Sequence, residues 1–530
     1  MNLLTDPWLT VRRRSGRIER IAPWQVTDDF AADSVVALAT PRADLDAAAA
    51  QLLIGLLQVA MPPEDDRSWG RRFTTPPTAD ELRTAFAPFA PYFELDGEGP
   101  RFLQDLTLLS EPDFSRWALE DLVLDSGLST PQDLFRKAGT LRAACPRCAA
   151  LILLSVQLFG PSGGRGHRTG LRGAGPLTTL VVTDESLGLW PSLWANVLAR
   201  ETFETLNGED LPRRDLPADC FPWLAPTRTS PTEGAITTAG HVHPGQMFWA
   251  MGRRLRLEFV AAEPGEACDL CTEPSDTVVR EVATRHHGVN YSGFWRHPFS
   301  PLRRVKDGQL IPVRADRRSL AYRNWLGLVT KTAEQEPAPV VAALERRRHD
   351  FPHRAELWTF GPNFSNRTAV VWVEGRLEYV WPRQDEHRRF ADAVGQLLEA
   401  AGLGEYFFTK AIGEAMALDR APEALRERFS QETESAFFER AHELAQAVEA
   451  DAEPEHFDGI SRTWHRALLS TALAIFNQET SALLLEARAT ERVARAYKTL
   501  RQNFWGKKMT ATLGGVQLWP EVPAGEETKA

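Results

Sequence analysis

Lysine is nearly missing: 8 residues against 53 arginines in a chain of 530. Beside so much alanine, that imbalance reads as a GC-rich coding bias, so arginine number alone does not argue for phosphate binding. Cysteine is scarce as well. Five cysteines in a chain this long exclude a disulfide scaffold, and four of them in CxxC pairs point to reduced thiols and a metal. Long apolar runs are lacking. The apolar, uncharged stretch Ala47 to Pro63 contains Gln51 and Gln58 and ends in two prolines, short of the ~20 apolar residues of a membrane span. It is expected to be a buried helix, and no membrane contact is expected. The opening Met1–Asp6 has neither the basic nor the apolar segment of a secretory signal, which with the free thiols makes the cytoplasm the expected location. Excess positive charge is missing too: a net charge of −10 excludes a general nucleic-acid-coating protein, so any such contact must be local.

Catalytic patterns are likewise wanting. There is no GxSxG, no HExxH, no kinase set, no GK[ST] ending of a phosphate loop and no GxGxxG. His241-Val242-His243 resembles a metal pair, but no Asp/His pattern completes a hydrolase site, and His286-His287 needs no catalytic role in a basic stretch. A non-enzymatic protein is expected.

What is present is an ordinary soluble composition, 43% apolar and 25% charged, enough for two to four domains at roughly 100–200 residues each. Up to about residue 382, short apolar runs alternate with Pro- and Gly-rich breaks. Strands are predicted near 253–260, 310–314 and 368–373, and helices near 45–59 and 150–158. Beyond Pro382, proline and glycine thin out and apolar residues recur at helical spacing. Four helical segments are predicted: 385–401, 406–419, 422–450 and 457–504, the last broken near Asn477, with Gly402-Leu403-Gly404 as a stop. The expected fold is α+β: a large mixed N-terminal domain (1–382) with a zinc knuckle site, an all-α four-helix bundle (383–508), and a partly disordered tail (509–530).

Charge is segregated. Residues 134–183 hold seven basic residues and no acid, and 285–331 hold ten basic against two acidic, whereas 401–460 hold fourteen acidic against five basic. The two basic blocks are either phosphate-facing or merely solvated. In the last helix Arg488, Arg492, Arg495, Lys498 and Arg501 recur every three or four residues, which puts them on one side.

Three features could carry chemistry. Cys145-Pro146-Arg147-Cys148 and Cys268-Asp269-Leu270-Cys271 are two CxxC knuckles 119 residues apart. Two such turns complete a tetrahedral zinc with no open position, a structural staple; the alternative is plain buried thiols, as expected of Cys220. The second is the run Gly163-Gly164-Arg165-Gly166-His167-Arg168, whose glycines allow close backbone approach while Arg and His offer phosphate partners; a plain surface loop is the alternative. The third, Asn363-Phe364-Ser365-Asn366-Arg367, lies between Gly361-Pro362 and a predicted strand, as a hairpin tip would. Such a tip can contact base edges or wedge between base pairs, although most Asn-rich tips are only turns.

Taken together, several islands resemble one family. Asn2-Leu3-Leu4-Thr5-Asp6-Pro7-Trp8-Leu9, the first CxxC, Gly163 to Thr179, Met247-Phe248-Trp249, the second CxxC and Trp295-x-His297-Pro298-x-Ser300-Pro301 follow the order found in CasA, the large subunit of the type I-E CRISPR Cascade complex. The resemblance implies a non-catalytic subunit of a crRNA-guided surveillance complex. Such a subunit recognises the protospacer-adjacent motif (PAM) in double-stranded DNA, promotes strand opening and R-loop formation, and recruits the helicase–nuclease. Sequence reading is then left to guide pairing. Its implied partners are target DNA, the crRNA 5′ end, the other Cascade subunits and that nuclease. The loop at Phe135, Arg136 and Lys137 matches the family loop that reaches towards the crRNA 5′ end and the PAM. Gly163, Gly164 and Gly166, interrupted by Arg165 and followed by His167 and Arg168, match its minor-groove glycine loop. Arg285 or His286 falls at the family's minor-groove lysine. Asn366, flanked by Ser365 and Arg367, falls at its wedge glutamine. The competing readings are a zinc-dependent nuclease using His241 and His243, and a purely structural scaffold.

Overall fold

The apolar stretch around Leu45–Leu57 folds as helix α1 (Ala43–Ala60) in the computed structural model, buried on nearly every side by protein. The structure describes all residues except 111–112, 125–133, 164–166, 213, 230–235, 317–321, 348–350, 352–353, 366–367, 383–386, 486 and 519–530, and the side chains of 487–488. By length and composition two helical stretches, Ala43–Ala60 and Pro454–Leu485, could cross a membrane, but α1 is a core helix.

The chain divides into two compact units, Met1–Leu320 with Gly327–Leu377, and Ala321–Leu326 with Glu378–Ala530. The first holds the strands: β1 (Leu9–Arg13), β2 (Ile18–Ile21), β3 (Val35–Leu38), β4 (Ser115–Ala118), β5 (Thr178–Thr183), β6 (Arg254–Ala261), β7 (Thr277–Arg285), β8 (Leu302–Arg304), β9 (Leu310–Pro312), β10 (Gln335–Glu336), β11 (Ala355–Ser365) and β12 (Thr368–Tyr379), the last running to the unit's border. Among the described residues they form four three-stranded sheets in the orders β2-β1-β3, β4-β7-β6, β12-β11-β5 and β10-β8-β9. Because β11 and β12 are hydrogen-bonded neighbours joined by two residues, they form a hairpin; a parallel pair would need a crossover of a dozen or more. A second helix, α2 (Pro146–Phe159), starts with proline at its first position, where the missing N–H costs nothing.

The sequence islands hold this unit together. Asn2 Oδ1 accepts from the N–H groups of Leu4 and Thr5, while its Nδ2 donates to the Ala90 carbonyl and Glu94. Trp8 Nε1 donates to the Leu3 carbonyl. Phe248 presses on α1 at Gly55, where a Cβ would sit 2.9 Å from its ring. Trp249 joins Phe93, Phe221 and Trp223 in one aromatic cluster. Buried His297 accepts from the Phe299 N–H at Nδ1, so its Nε2–H donates to the Met247 carbonyl; burial holds its pKa well below the ordinary value, and it stays neutral.

Four long helices build the second unit: α3 (His387–Met416), α4 (Glu423–Glu449), α5 (Pro454–Thr480) and α6 (Ala487–Phe504). Their apolar faces meet around Phe390, Phe408, Phe429, Phe437, Trp464 and Phe504, all buried. Among the described residues the number of long helices matches expectation, but one of the expected breaks is absent. Gly402-Leu403-Gly404 stops nothing: α3 runs straight through, and Gly404 is there because a Cβ would crowd the Phe504 ring at 3.1 Å. The break expected near Asn477 in the fourth segment is found just beyond it: α5 ends at Thr480 and α6 follows. Residues 509–518, placed in the expected tail, are packed, with Met509, Leu513, Val516 and Leu518 buried; the rest of that tail, 519–530, lies outside the described residues. The unit also takes in 321–326: Tyr322 stacks on Phe437 at 4.6 Å and hydrogen-bonds Thr433, and Trp325 Nε1 donates to the Glu378 carbonyl.

Candidate metal centre and nucleic-acid interface

Topology explains how cysteines 119 residues apart meet. Cys268–Cys271 lies in the connection between β6 and β7, while Cys145 caps α2 and Cys148 sits in its first turn. Ala144, just before the first knuckle, exchanges two backbone hydrogen bonds with Val279 of β7. The knuckles are laced to each other as well. Asp269 N–H donates to the Ala143 carbonyl, its carboxylate accepts from the N–H groups of Arg142 and Ala143 at 2.7 and 2.9 Å, and Arg147 pairs with Glu273 at 2.6 Å.

The four sulfurs lie within 4.8 Å of one another; three of the cysteines are buried and Cys271 is half-buried. A metal–sulfur distance near 2.3 Å puts tetrahedral sulfurs about 3.8 Å apart. Cys145 Sγ and Cys271 Sγ are 3.8 Å apart. Hydrogen bonds within the cluster, Cys145 foremost, pull the Cys271 thiol far down and the Cys268 thiol to about 6, and push Cys148 up. Four sulfurs this close cannot all ionise without a counter-charge. The donor set and spacing fit one metal ion with no position left for water or substrate, and this is the single group of three or more Cys, His or acidic ligands among the described residues. His241 and His243 instead take the N–H groups of Thr238 and Gly245 at Nδ1, each closing its own turn.

The loop before the first knuckle is moored to the second. Arg136 donates through its guanidinium to the Asp269 carbonyl and, at 2.8 Å, to the Thr140 carbonyl. Phe135 lies under the Arg42 guanidinium, 4.5 Å from ring centroid to charge, and beside Trp372 of β12. Lys137 is exposed.

In the glycine run, Gly164, Arg165 and Gly166 lie outside the described residues, as do Asn366 and Arg367. Gly163 donates to the His167 carbonyl at 3.0 Å, and a Cβ there would meet the His167 side chain at 2.8 Å. His167 corrects an expectation. Its ring is turned inward, 3% exposed, tilted against Trp117 with ring centroids 4.8 Å apart, and 3.0 Å from His286 Nδ1 through Nε2. Burial, then Arg253, His286 and His287, lower its pKa to about 4, so it is neutral near pH 7 and faces protein, not solvent. Arg168 donates its N–H to the Gly252 carbonyl. A Cβ on Gly252 or Gly288 would penetrate a neighbouring backbone carbonyl, so three strands of main chain touch here. Arg285 ends β7 and, like His286, is half-buried. Trp117, Arg253, Gly252 and Gly288 were missed; isolated glycines beside basic residues were the available signal.

At the hairpin, Ser365 is exposed at the end of β11. Asn363 Nδ2 donates to the Ala315 carbonyl, and Gly361 and Gly175 (φ +61°) let the hairpin backbone close onto Pro176. The structure thus gathers loop 135–137, both knuckles, the β12 flank and the His167–His286 pair in one unit. Part of each basic block is engaged within the protein. Arg136 and Arg147 hold the knuckles, Arg172 is buried against Gln51 and Thr178, and Arg296 and Lys331 converge on Glu336 at 2.9 and 2.8 Å. In α6, Arg495, Lys498 and Arg501 are exposed, but Arg492 caps the Ala415 carbonyl of α3 and Arg495 pairs with Glu491.

Fold and site together define a mixed α+β protein with a helical C-terminal unit and a closed four-cysteine centre. The profile of CRISPR-associated protein Cse1 matches residues 2–475, and the chain belongs to that family. The fold is similar to CasA (Cse1) of Thermus thermophilus (18% identity, 95% of this chain and 99% of that one, TM-score 0.67). It is similar also to Cse1 of Thermobifida fusca (18%, 97% and 98%, TM-score 0.68) and to a chain of a CRISPR RNA-guided surveillance complex (16%, 94% and 99%, TM-score 0.61).

Proposed function

We propose that this chain is the non-catalytic large subunit of a crRNA-guided surveillance complex, where it recognises a PAM in duplex DNA, aids strand opening and recruits the helicase–nuclease. Family membership over residues 2–475 carries the reading. Likeness to a chain of an RNA-guided surveillance complex supports it. One zinc held by Cys145, Cys148, Cys268 and Cys271 braces the loop 135–140, because Arg136 is tied to the second knuckle. Lys137, Gly163, Gly164, Gly166, Arg285 and His286 meet the DNA, His167 orients His286 from behind, and Asn366 wedges below the motif. The minor groove presents essentially A·T against G·C, so several related motifs should be accepted.

The test is a randomised-PAM duplex library offered to the complex with and without this chain; loss of motif enrichment on omission is expected, and unchanged enrichment refutes PAM reading. Asn366→Ala should impair a fully paired target more than a pre-opened bubble, since a wedge acts on unstacking. Equal impairment on both would make that residue only a turn. A metal-dependent nuclease finds no support in His241 and His243, whose rings close local turns.

A further inference from the structure

Away from the knuckles, a cavity of about 300 Å³ opens between α1, β3 and the β12-β11-β5 sheet. Its floor is apolar, formed by Leu38, Ile54, Leu180, Val182, Leu193 and the Trp358 ring. Helix α1 turns Ala43, Asp46, Ala50 and Ile54 towards it, one face at steps of three and four. The mouth carries charge of both signs, but only one sign is spoken for. Arg12 pairs with Glu185 at 2.7 Å, and Arg376 lies 3.5 Å from Glu356. The remaining carboxylates have neutral partners only. Asp46 accepts from the Thr40 N–H at 2.8 Å, and Glu374 accepts from the indoles of Trp358 and Trp372 at 2.9 and 2.8 Å. No basic side chain lies within ion-pair distance of either among the described residues. Burial above all, with Glu374 and Asp44 adding repulsion, raises Asp46 to about 6. Asp46 is half-buried and Glu374 exposed, and a carboxylate partly withdrawn from water without a counter-charge invites one.

We propose that this cavity is a binding site for an aliphatic cation, an alkyl-ammonium or alkyl-guanidinium whose chain lies along the apolar floor and whose head is shared by Asp46 and Glu374. The volume is at the small end for ligand pockets, enough for one unbranched chain and not for a nucleotide. An anion is disfavoured because both mouth arginines are already paired. The chemistry is that of a lysine or arginine side chain from a partner protein, or of a free amine.

The test uses full-length protein and ligand-observed saturation-transfer NMR with n-pentylamine, n-pentanol and pentanoate near pH 7.5. Pentylamine should saturate at least about tenfold more tightly than pentanol, as a charge-assisted hydrogen bond implies, with pentanoate unbound. Glu374→Gln, at the exposed mouth, should weaken pentylamine by about tenfold and leave pentanol unchanged. Ala50→Phe should fill the cavity and abolish both. Nα-acetyl-lysine methylamide binding as tightly as pentylamine assigns the site to a partner's side chain; binding at least tenfold weaker assigns it to a free amine. Pentanol matching pentylamine, or pentylamine affinity untouched by Glu374→Gln, overturns the proposal.

Discussion

The two units are held by different kinds of contact. In the strand-rich unit four close approaches are backbone to backbone. A Cβ at Gly175, Gly252, Gly288 or Gly361 would run into a carbonyl oxygen of a segment far away in sequence. In the helical unit the corresponding approach is backbone to side chain, Gly404 against the ring of Phe504. Main chain cannot give way without moving a sheet, whereas a ring can shift by a few tenths of an ångström. The strand-rich unit should therefore respond steeply to single atoms and to disruption of its four-cysteine cluster, and the helical unit gradually.

The sharpest test is the metal. Zinc at four thiolates contributes about 10–16 kcal/mol of apparent binding energy in small zinc domains, comparable to the whole stability of a typical domain. Elemental analysis of protein purified without chelator should find one zinc per chain. Cys268→Ser should lose it and lower the melting temperature by more than any substitution considered below. Because Asp269, Ala143 and Glu273 lace the knuckles without metal, residual structure should survive there, visible as hydrogen-exchange protection at the Val279 N–H. Metal-free protein with wild-type melting would remove the staple from the account.

Next in size is Gly361→Ala. The added Cβ would press into the Pro176 carbonyl oxygen, and relief requires the hairpin to part from the Gly175–Pro176 segment. A cost of about 2–4 kcal/mol is expected, as for core overpacking at its upper end. The matched change in the helical unit, Gly404→Ala, should cost less than about 1 kcal/mol, since helix propensity offsets part of the crowding against Phe504. Equal chemical-denaturation losses for the two would erase the distinction between the units.

That distinction also marks what was legible in the sequence. Periodicity located α1, α2 and the strands near 254, 310 and 368, and cysteine spacing located the four-cysteine cluster, since both signals are local. The islands shared with CasA were also visible, but most are architecture: Asn2 knots the N-terminus, and His297 ties the Met247 turn to the Phe299 segment. Illegible were features that depend on which distant segment lies opposite. Nothing near Gly404 announces Phe504, so it read as a stop. Nothing near His167 announces Trp117 and His286, so an inward ring read as an outward one. Charge counts failed for the same reason: Glu336, one acid far along the chain, neutralises residues in a block that reads as basic.

A smaller effect belongs to Asp46. Its folded pKa of about 6 exceeds the unfolded value of 3.8, with burial the main cause. The folded state then holds its proton more tightly, so this contribution to stability is complete below about pH 4 and is lost as pH rises through about 6. Asp46→Asn keeps an oxygen for the Thr40 N–H and should remove that loss. Across pH 4 to 7 the stability difference between variant and wild type should therefore grow in the variant's favour and then level off. A difference independent of pH would mean that the carboxylate is solvated.

The smallest expected effect has the opposite sign. Gly402 lies inside α3 with nothing within 4 Å of its Cβ position, and its φ is not in the left-handed region. Glycine there brings only the entropy cost of fixing a flexible residue in a helix, with no close approach to justify it. Gly402→Ala should stabilise the protein by about 0.5–1 kcal/mol, read as a higher denaturation midpoint at unchanged slope. Beside Gly404, two positions on, it separates the two uses of glycine within a single helix. A destabilised Gly402→Ala protein would mean that this stretch of α3 is not continuous helix, and that the glycine pair is a break after all.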